Sequence, residues 1–358
     1  MTSPGFAGCA VRERVAAPAD SGRQAGSPLA GVLGPLLPGV LELASRAPSA
    51  YNAQPWLVLI HHPQRWSLTL APDRRLAAVD PADRGAVLGI GAFLENLCLA
   101  GAALGYRIES TGYGDHVDDP ALVSLRLERS GSTGDTKAIS LRCTTRMPYA
   151  RAPIASRDIR DLCEGLDHLL WIPGGSPMAR DVGEIVAGAA GSQLGRDEAL
   201  VELVGWLRRS RDGGAMGHDG LVPEDLQLGG IAGWMARHVA DPKKFTSAPF
   251  RRMLAARAAR LASACGGWLV VASPDASIRS VVEAGRCLER VLLRARALGL
   301  GIHPMSQPLQ EPGWRQDLER ATRLDAFPRM LLRVGYTRRW PAKAAPRLPP
   351  DVFTRVAF

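Results

Sequence analysis

Arg46-Ala47-Pro48-Ser49-Ala50-Tyr51-Asn52-Ala53-Gln54-Pro55-Trp56 runs directly into Leu57-Val58-Leu59-Ile60. Pro48 and Pro55 each fix φ and remove a backbone donor, so an incoming helix cannot continue through the segment. The apolar run that opens on Trp56 reads as a buried strand. Between the prolines, Ser49, Asn52 and Gln54 place short donors and acceptors on a rigid connection, a setting where ligand-contacting groups tend to be found. Serine, asparagine and proline are also ordinary residues of a helix-to-strand turn, and composition alone favours that plainer reading.

Working outward, Leu29 to Arg46 reads as helical in part, with Pro38 and neighbouring glycines weakening its first half. Trp56–His62 and Trp66–Ala71 read as a hairpin across Pro63-Gln64-Arg65. Asp83 to Leu104 predicts a long helix, because Val87, Ile90, Leu94, Leu97, Gly101 and Leu104 recur every three or four residues. Ala121–Arg129 alternates as a strand, and the polar link Gly131–Thr136 marks a boundary. Beyond it, helices are expected at Ser156–Gly165, Pro177–Ala190 and Arg196–Arg209. A Gly- and Trp-rich insertion follows over Arg211–Pro249. Trp268–Ala272 then reads as a strand, Ile278–Leu298 as a helix and Arg329–Val334 as a strand.

A chain of 358 residues predicts two lobes or a duplication, and 46% hydrophobic against 22% charged residues is globular composition. The run Leu29–Ala44 is too short and too interrupted to span a bilayer, and no secretory signal precedes it. Six scattered cysteines without a C-x-x-C pair argue for reduced thiols in the cytoplasm and against a metal cluster. The net charge of +9 comes from dispersed arginines without interleaved aromatics, which does not favour nucleic acid over an anionic small ligand.

The chain repeats itself. Gly91 to Ile108 aligns without gaps on Gly285 to Ile302, with eight identities that include Gly91/Gly285, Leu94/Leu288, Glu95/Glu289 and the closing Ala-Leu-Gly. Trp56-Leu57-Val58 recurs as Trp268-Leu269-Val270. Amphipathic helices match by chance, but a matched helix preceded by a matched strand predicts a fused pseudo-dimer. The halves differ in what they keep. The Pro48–Pro55 string has no counterpart before Trp268, and Arg142-Cys143-Thr144-Thr145-Arg146 occurs only at the head of the second half.

Arg46–Trp56 resembles the A-P-S-x-x-N-x-Q-P-W segment of the nitroreductase family, flavoenzymes that bind FMN at a dimer interface. Val334-Gly335-Tyr336 with Pro346-Arg347-Leu348-Pro349 is similar to the family's closing strand and R-x-P segment. The Asp73–Arg84 string, the Thr-Arg-x-Pro-Tyr run and the insertion resemble the internally duplicated, Acg-type branch. The resemblance covers about Leu41 to Val352. It implies an α+β nitroreductase fold, two fused halves forming an intramolecular pseudo-dimer, with one complete flavin site and one degenerate site. Residues 1–27 would be a disordered tail, 28–135 the N-terminal half, and 136–358 the C-terminal half with an inserted lid at about 211–249.

The resemblance further implies that Pro48, Ser49, Asn52 and Gln54 approach the flavin ring and ribityl chain from the first half. Arg142, Thr144, Arg146 and Arg347 would hold the phosphate from the second, since guanidinium forks and a hydroxyl suit that group. Pro304, Met305 and Ser306 would pass beside the isoalloxazine, the Ser306 backbone N–H facing N5 as the catalytic contact. His303 next to them is more simply structural, and Lys343 departs from the family's lysine spacing. The implied activity is an FMN-dependent oxidoreductase exchanging electrons between NAD(P)H, or an organic substrate, and an acceptor in a ping-pong cycle. The alternative is a protein that sequesters FMN without nicotinamide-dependent turnover. A small-molecule substrate, no nucleic-acid or membrane partner and a monomeric pseudo-dimer complete the expectation.

Overall fold

The computed structural model describes residues 36–150, 152–208, 218–222, 247–337, 339–341 and 345–357, with Gly31, Gly34 and Leu226 individually. The expected tail 1–27, Lys343 and most of the insertion 211–249 lie outside the described residues. In chain order the elements are α1 (Leu37–Ala44), β1 (Trp56–His62), β2 (Arg65–Leu70), α2 (Arg84–Ala103), β3 (Tyr106–Tyr113), β4 (Val123–Arg129) and α3 (Lys137–Leu141). Then come α4 (Ser156–Cys163), β5 (Leu169–Pro173), α5 (Pro177–Gly195), α6 (Asp197–Gly205), α7 (Ala248–Ala262), β6 (Gly267–Ser273) and α8 (Ile278–Ala297). The chain closes with β7 (Leu300–Pro304), α9 (Gln307–Gln310), α10 (Trp314–Thr322), β8 (Phe327–Tyr336), α11 (Pro350–Phe353) and β9 (Thr354–Val356).

The repeated helices α2 and α8 cross at the repeated glycines. A methyl group on Gly91 would lie 2.0 Å from the Val282 carbonyl oxygen and 2.8 Å from Gly285 Cα. One on Gly285 would lie 2.1 Å from the Leu88 carbonyl oxygen and 2.9 Å from Gly91 Cα. The gap-free alignment pairs Leu88 with Val282, so the two environments are images of each other, and a pseudo-twofold axis passes through the Gly–Gly contact. Only hydrogen side chains let two backbones approach this closely. Helix α2 is long and apolar enough to cross a membrane, but most of its surface is buried against α8 and the sheets.

Each half contributes one sheet, in the orders β3-β4-β2-β1-β9 and β7-β8-β6-β5. Superposing these orders about the shared helix makes β2 the counterpart of β6 and β1 the counterpart of β5. The Trp-Leu-Val repeat therefore does not mark equivalent strands. Trp56 opens β1, which lies between β2 and β9, whereas Trp268 lies in the strand that leads into α8. Strands β3, β5, β7 and β9 were not anticipated from the sequence pattern.

The sheets are buried differently. β1 alternates buried Trp56, Val58 and Ile60 with half-buried Leu57 and Leu59, so one face meets the core. β6 is buried throughout: Leu269 and Val271 join the central core, while Trp268 and Val270 face a second cluster that includes Ile172, Val182, Met305 and Leu318. Helices on its outer side explain that continuous apolar run. After β8 the chain returns to the first half, where β9 pairs in parallel with β1 (Val58 with Thr354, Ile60 with Val356). Phe353 anchors the crossing edge-on to Phe93, ring centroids 5.9 Å apart. A segment assigned by sequence to the second half thus completes the first half's sheet, and it carries Arg347 across the junction.

Candidate functional site

The turn from α1 to β1 supplies the first group of side chains. Tyr51, Asn52 and Gln54 adopt φ of 51°, 54° and 53°, the left-handed region that costs a non-glycine residue about 1 kcal/mol or more. Bonds to distant segments offset this strain. Asn52 donates Nδ2 to the Pro346 carbonyl at 3.0 Å and accepts at Oδ1 from Arg347 Nη1 at 2.9 Å. The Ser49 hydroxyl accepts the Gln54 backbone N–H at 2.9 Å. Gln54 is completely buried, donates Nε2 to the His218 carbonyl at 2.8 Å, and accepts the Leu348 N–H at 2.9 Å. Gly220 N–H donates to the Asn52 carbonyl at 3.2 Å. Between His218 and Gly220, the buried Asp219 carboxylate accepts from Arg74 and Arg208, at 3.0 and 2.8 Å.

The segment Arg142–Tyr149 supplies the second group. It docks beside β7 through Thr145 N–H to the Ile302 carbonyl at 3.1 Å. Tyr149 locks it in place. Its ring fills the space that side chains would occupy at Gly301 and Gly335, and the Arg333 guanidinium lies over it at 4.0 Å. Its hydroxyl bonds to Thr145 Oγ1 at 2.7 Å. Burial pushes the Tyr149 phenol up to about 12, with Arg333 pulling the other way. With both ends held, Arg142, Thr144 and Arg146 project from a fixed backbone.

These groups meet. Arg46, Pro48, Ser49 and Asn52 from the first half and Arg142, Thr144 and Arg146 from the second line one cleft, joined by Arg347 from the crossing segment and by Leu221 from the insertion. Among the described residues, four arginines line it and no carboxylate does. Arg142 Nη2 donates to the Arg46 carbonyl at 2.7 Å, and Arg347 Nη2 to the carbonyls of Arg46 and Ala47 at 3.2 and 3.3 Å. The two guanidiniums thereby converge on the same stretch of the opposite half. Concentrated positive charge with the Ser49 and Thr144 hydroxyls suits a phosphate monoester, which accepts several charge-assisted hydrogen bonds. This donor set fits the phosphate end of FMN.

The remaining expected residues lie elsewhere. Gln54 does not line the cleft; its amide is engaged in holding the insertion and the crossing segment. Pro304, Met305 and Ser306 do not line it either. Met305 is buried in the second core cluster, with its N–H on the Leu331 carbonyl at 2.8 Å, and Ser306 begins the short α9. His303, beside Arg333, is held well below its usual range by burial and by that guanidinium, so it is neutral at pH 7 and not a reservoir of protons. Sequence reasoning missed Arg46, whose only signal was its place at the head of the string. It also missed Leu221, which lies in a segment without periodic pattern.

No protein-family model matches the chain. A Mycobacterium tuberculosis protein provisionally named an NAD(P)H nitroreductase is 30% identical over 332 residues, covering 87% of each chain. A second protein of that organism, acg, with the same provisional description, is 34% identical over 123 residues, covering 33% of this chain and 37% of its own. Among solved structures, the FMN-dependent nitroreductase NfnB of Mycobacterium smegmatis in complex with NADPH is 14% identical with a TM-score of 0.40, over 62% of this chain and 97% of that one. A nitroreductase with bound FMN from Desulfitobacterium hafniense is 13% identical with a TM-score of 0.36, over 62% and 97%.

Proposed function

The chain belongs to the nitroreductase family, and on that premise we propose that it is an FMN-dependent oxidoreductase with one complete flavin site spanning its two halves. The observation that carries this reading is the cleft in which Arg46, Arg142, Arg146 and Arg347 come together with Ser49 and Thr144 and, among the described residues, without a carboxylate. Arg142 and Arg347 would hold the flavin phosphate. The turn Pro48–Asn52 would orient the ribityl end, its strained backbone held by the crossing segment and the insertion. Bound FMN supplies two-electron chemistry, so the protein's tasks are anchorage, orientation and exclusion of water. NAD(P)H is the donor in this reading, alternating with a small organic acceptor at one site. Ser306 and its neighbours would flank the ring from the second half.

Leu221 lining the cleft keeps a second reading in view, in which the insertion occupies the acceptor's place and the protein holds FMN without nicotinamide turnover. The phosphate assignment is tested by comparing FMN with riboflavin. A hydrogen bond to a charged group contributes about 1.5–3 kcal/mol, or roughly 10- to 150-fold in affinity. FMN should bind far more tightly than riboflavin, and Arg142→Ala should shrink that preference by such a factor while leaving riboflavin affinity nearly unchanged. Equal loss for both ligands would remove the phosphate from this cleft.

A further inference from the structure

The repeated helices carry matching acids, Glu95 on α2 and Glu289 on α8, one turn beyond the glycine crossing. Their surroundings differ. Glu95 accepts from Arg286 Nε at 2.9 Å and from Arg290 Nε and Nη2 at 2.7 and 3.0 Å, so its charge is met by two cations of the facing helix. In the alignment, Arg290 is matched by Asn96 on α2. Glu289 therefore faces an amide where Glu95 faces a guanidinium.

Glu289 and Asn96 are both fully buried; the Asn96 amide lies close enough to favour the ionised acid, yet none of the carboxylate oxygens and amide atoms completes a well-formed hydrogen bond. Arg142 forms an ion pair with the acid, its Nε 3.4 Å from Glu289 Oε1. Arg347 also acts on the acid from the crossing segment, and Glu95 from α2. Arg142 and Arg347 are two of the four cleft arginines, and Glu289 lies behind them without lining the cleft. One copy of the repeated acid has thus exchanged its helix-borne cations for the cations of the anion site.

A buried carboxylate with one long ion contact is poorly compensated. Burial pushes Glu289 up to about 7, with Arg142 drawing it back. An anion arriving at Arg142 adds negative charge near the acid and draws the guanidinium away from it. Both effects favour the protonated acid.

We propose that Glu289 is a positioning residue for the phosphate-binding Arg142 and that it takes up one proton from solvent when the phosphate binds. This rests on the FMN reading above. The sign follows from linkage. A carboxyl group whose pKa rises on binding gains a proton, so affinity is greatest below the free-state value near 7 and falls as pH rises above it. The phosphate's own second ionisation, near pH 6, is complete in that range.

The test is calorimetric titration of FMN into the flavin-free full-length chain at about pH 7.5, in two phosphate-free buffers of different ionisation enthalpy. The wild-type chain should take up as much as about three-quarters of a proton per FMN at that pH, and its Kd should weaken by up to about tenfold per pH unit above 7. Glu289→Gln should bind FMN with no uptake and a flat profile. Riboflavin, lacking the phosphate, should show no uptake with the wild-type chain, a comparison that stands even if the variant does not fold. FMN binding without uptake, or equal uptake by wild type and Glu289→Gln, would overturn the role of Glu289 and leave the flavin site intact. Failure of the wild-type chain to bind FMN would overturn both.

Discussion

Placing a methyl group on Gly91 tests the pseudo-dimer at its axis. The new Cβ would sit 2.0 Å from the Val282 carbonyl oxygen and 2.8 Å from Gly285 Cα. Carbon and carbonyl oxygen ordinarily approach to about 3.3 Å, so α2 and α8 would have to separate by roughly 1 Å. The obstruction is backbone on a core helix, and no rotamer change relieves it. Overpacking of this kind costs about 1–3 kcal/mol, and a rigid neighbour puts the cost at the upper end. Alanine's helix propensity returns about 1 kcal/mol, which leaves a net loss of about 2 kcal/mol or more. Gly285→Ala should lose a similar amount, because its Cβ meets the Leu88 carbonyl oxygen at 2.1 Å. Gly191, inside α5, has nothing within 4 Å of its Cβ position, so Gly191→Ala should gain up to about 1 kcal/mol. Urea denaturation of the three variants reads all three signs. Gly91→Ala at wild-type stability or above, in step with Gly191→Ala, would refute the close crossing of the repeated helices.

Gln54→Ala removes the partner of the buried Leu348 N–H and of the His218 carbonyl. A loss of about 1–3 kcal/mol in urea denaturation and faster FMN release are expected; unchanged release would mean that the amide does not support the site. Glu289 has a folded-state pKa of about 7 against an ordinary 4.5. Its contribution is therefore present below pH 4.5 and lost as pH rises through 7, on the order of 3 kcal/mol. Glu289→Gln cannot ionise and should gain on the wild type by much of that amount between pH 5 and pH 8; a constant difference in urea midpoints would contradict the burial argument. With the repeated interface internal, sedimentation should give a single species near 38.3 kDa, and an obligate dimer would show that a further interface exists.

Helices α2 and α8 were legible because apolar residues recur at helical spacing over twenty residues, and their repeat announced the pseudo-symmetry. The strand correspondence was not. A Trp-Leu-Val tripeptide is three residues of local similarity, whereas equivalence is set by sheet order, and that order pairs β2 with β6. β7 was hidden because it spans five residues, contains Gly301 and ends on Pro304. The residues that one cleft gathers were legible where they sit in strings, at Pro48, Ser49 and Asn52 and at Arg142, Thr144 and Arg146. Arg347 was placed from its R-x-P context, but the crossing that brings it to the first half was not. Gln54 belongs to the same string as Asn52, yet a 53° φ and two distant partners turn its amide inward. Glu289 showed only as the repeat of Glu95; its meeting with Asn96 gave no local signal, since it depends on how two helices cross.

The flavin site and its chemistry are read together in the visible spectrum of the full chain after saturation with FMN and desalting, repeated after anaerobic addition of NADPH or NADH. A retained yellow band that bleaches on reduction, and that Arg142→Ala does not retain, is expected. A retained band that neither nucleotide bleaches would contradict the oxidoreductase reading in favour of sequestration, and a colourless protein would contradict the flavin site itself.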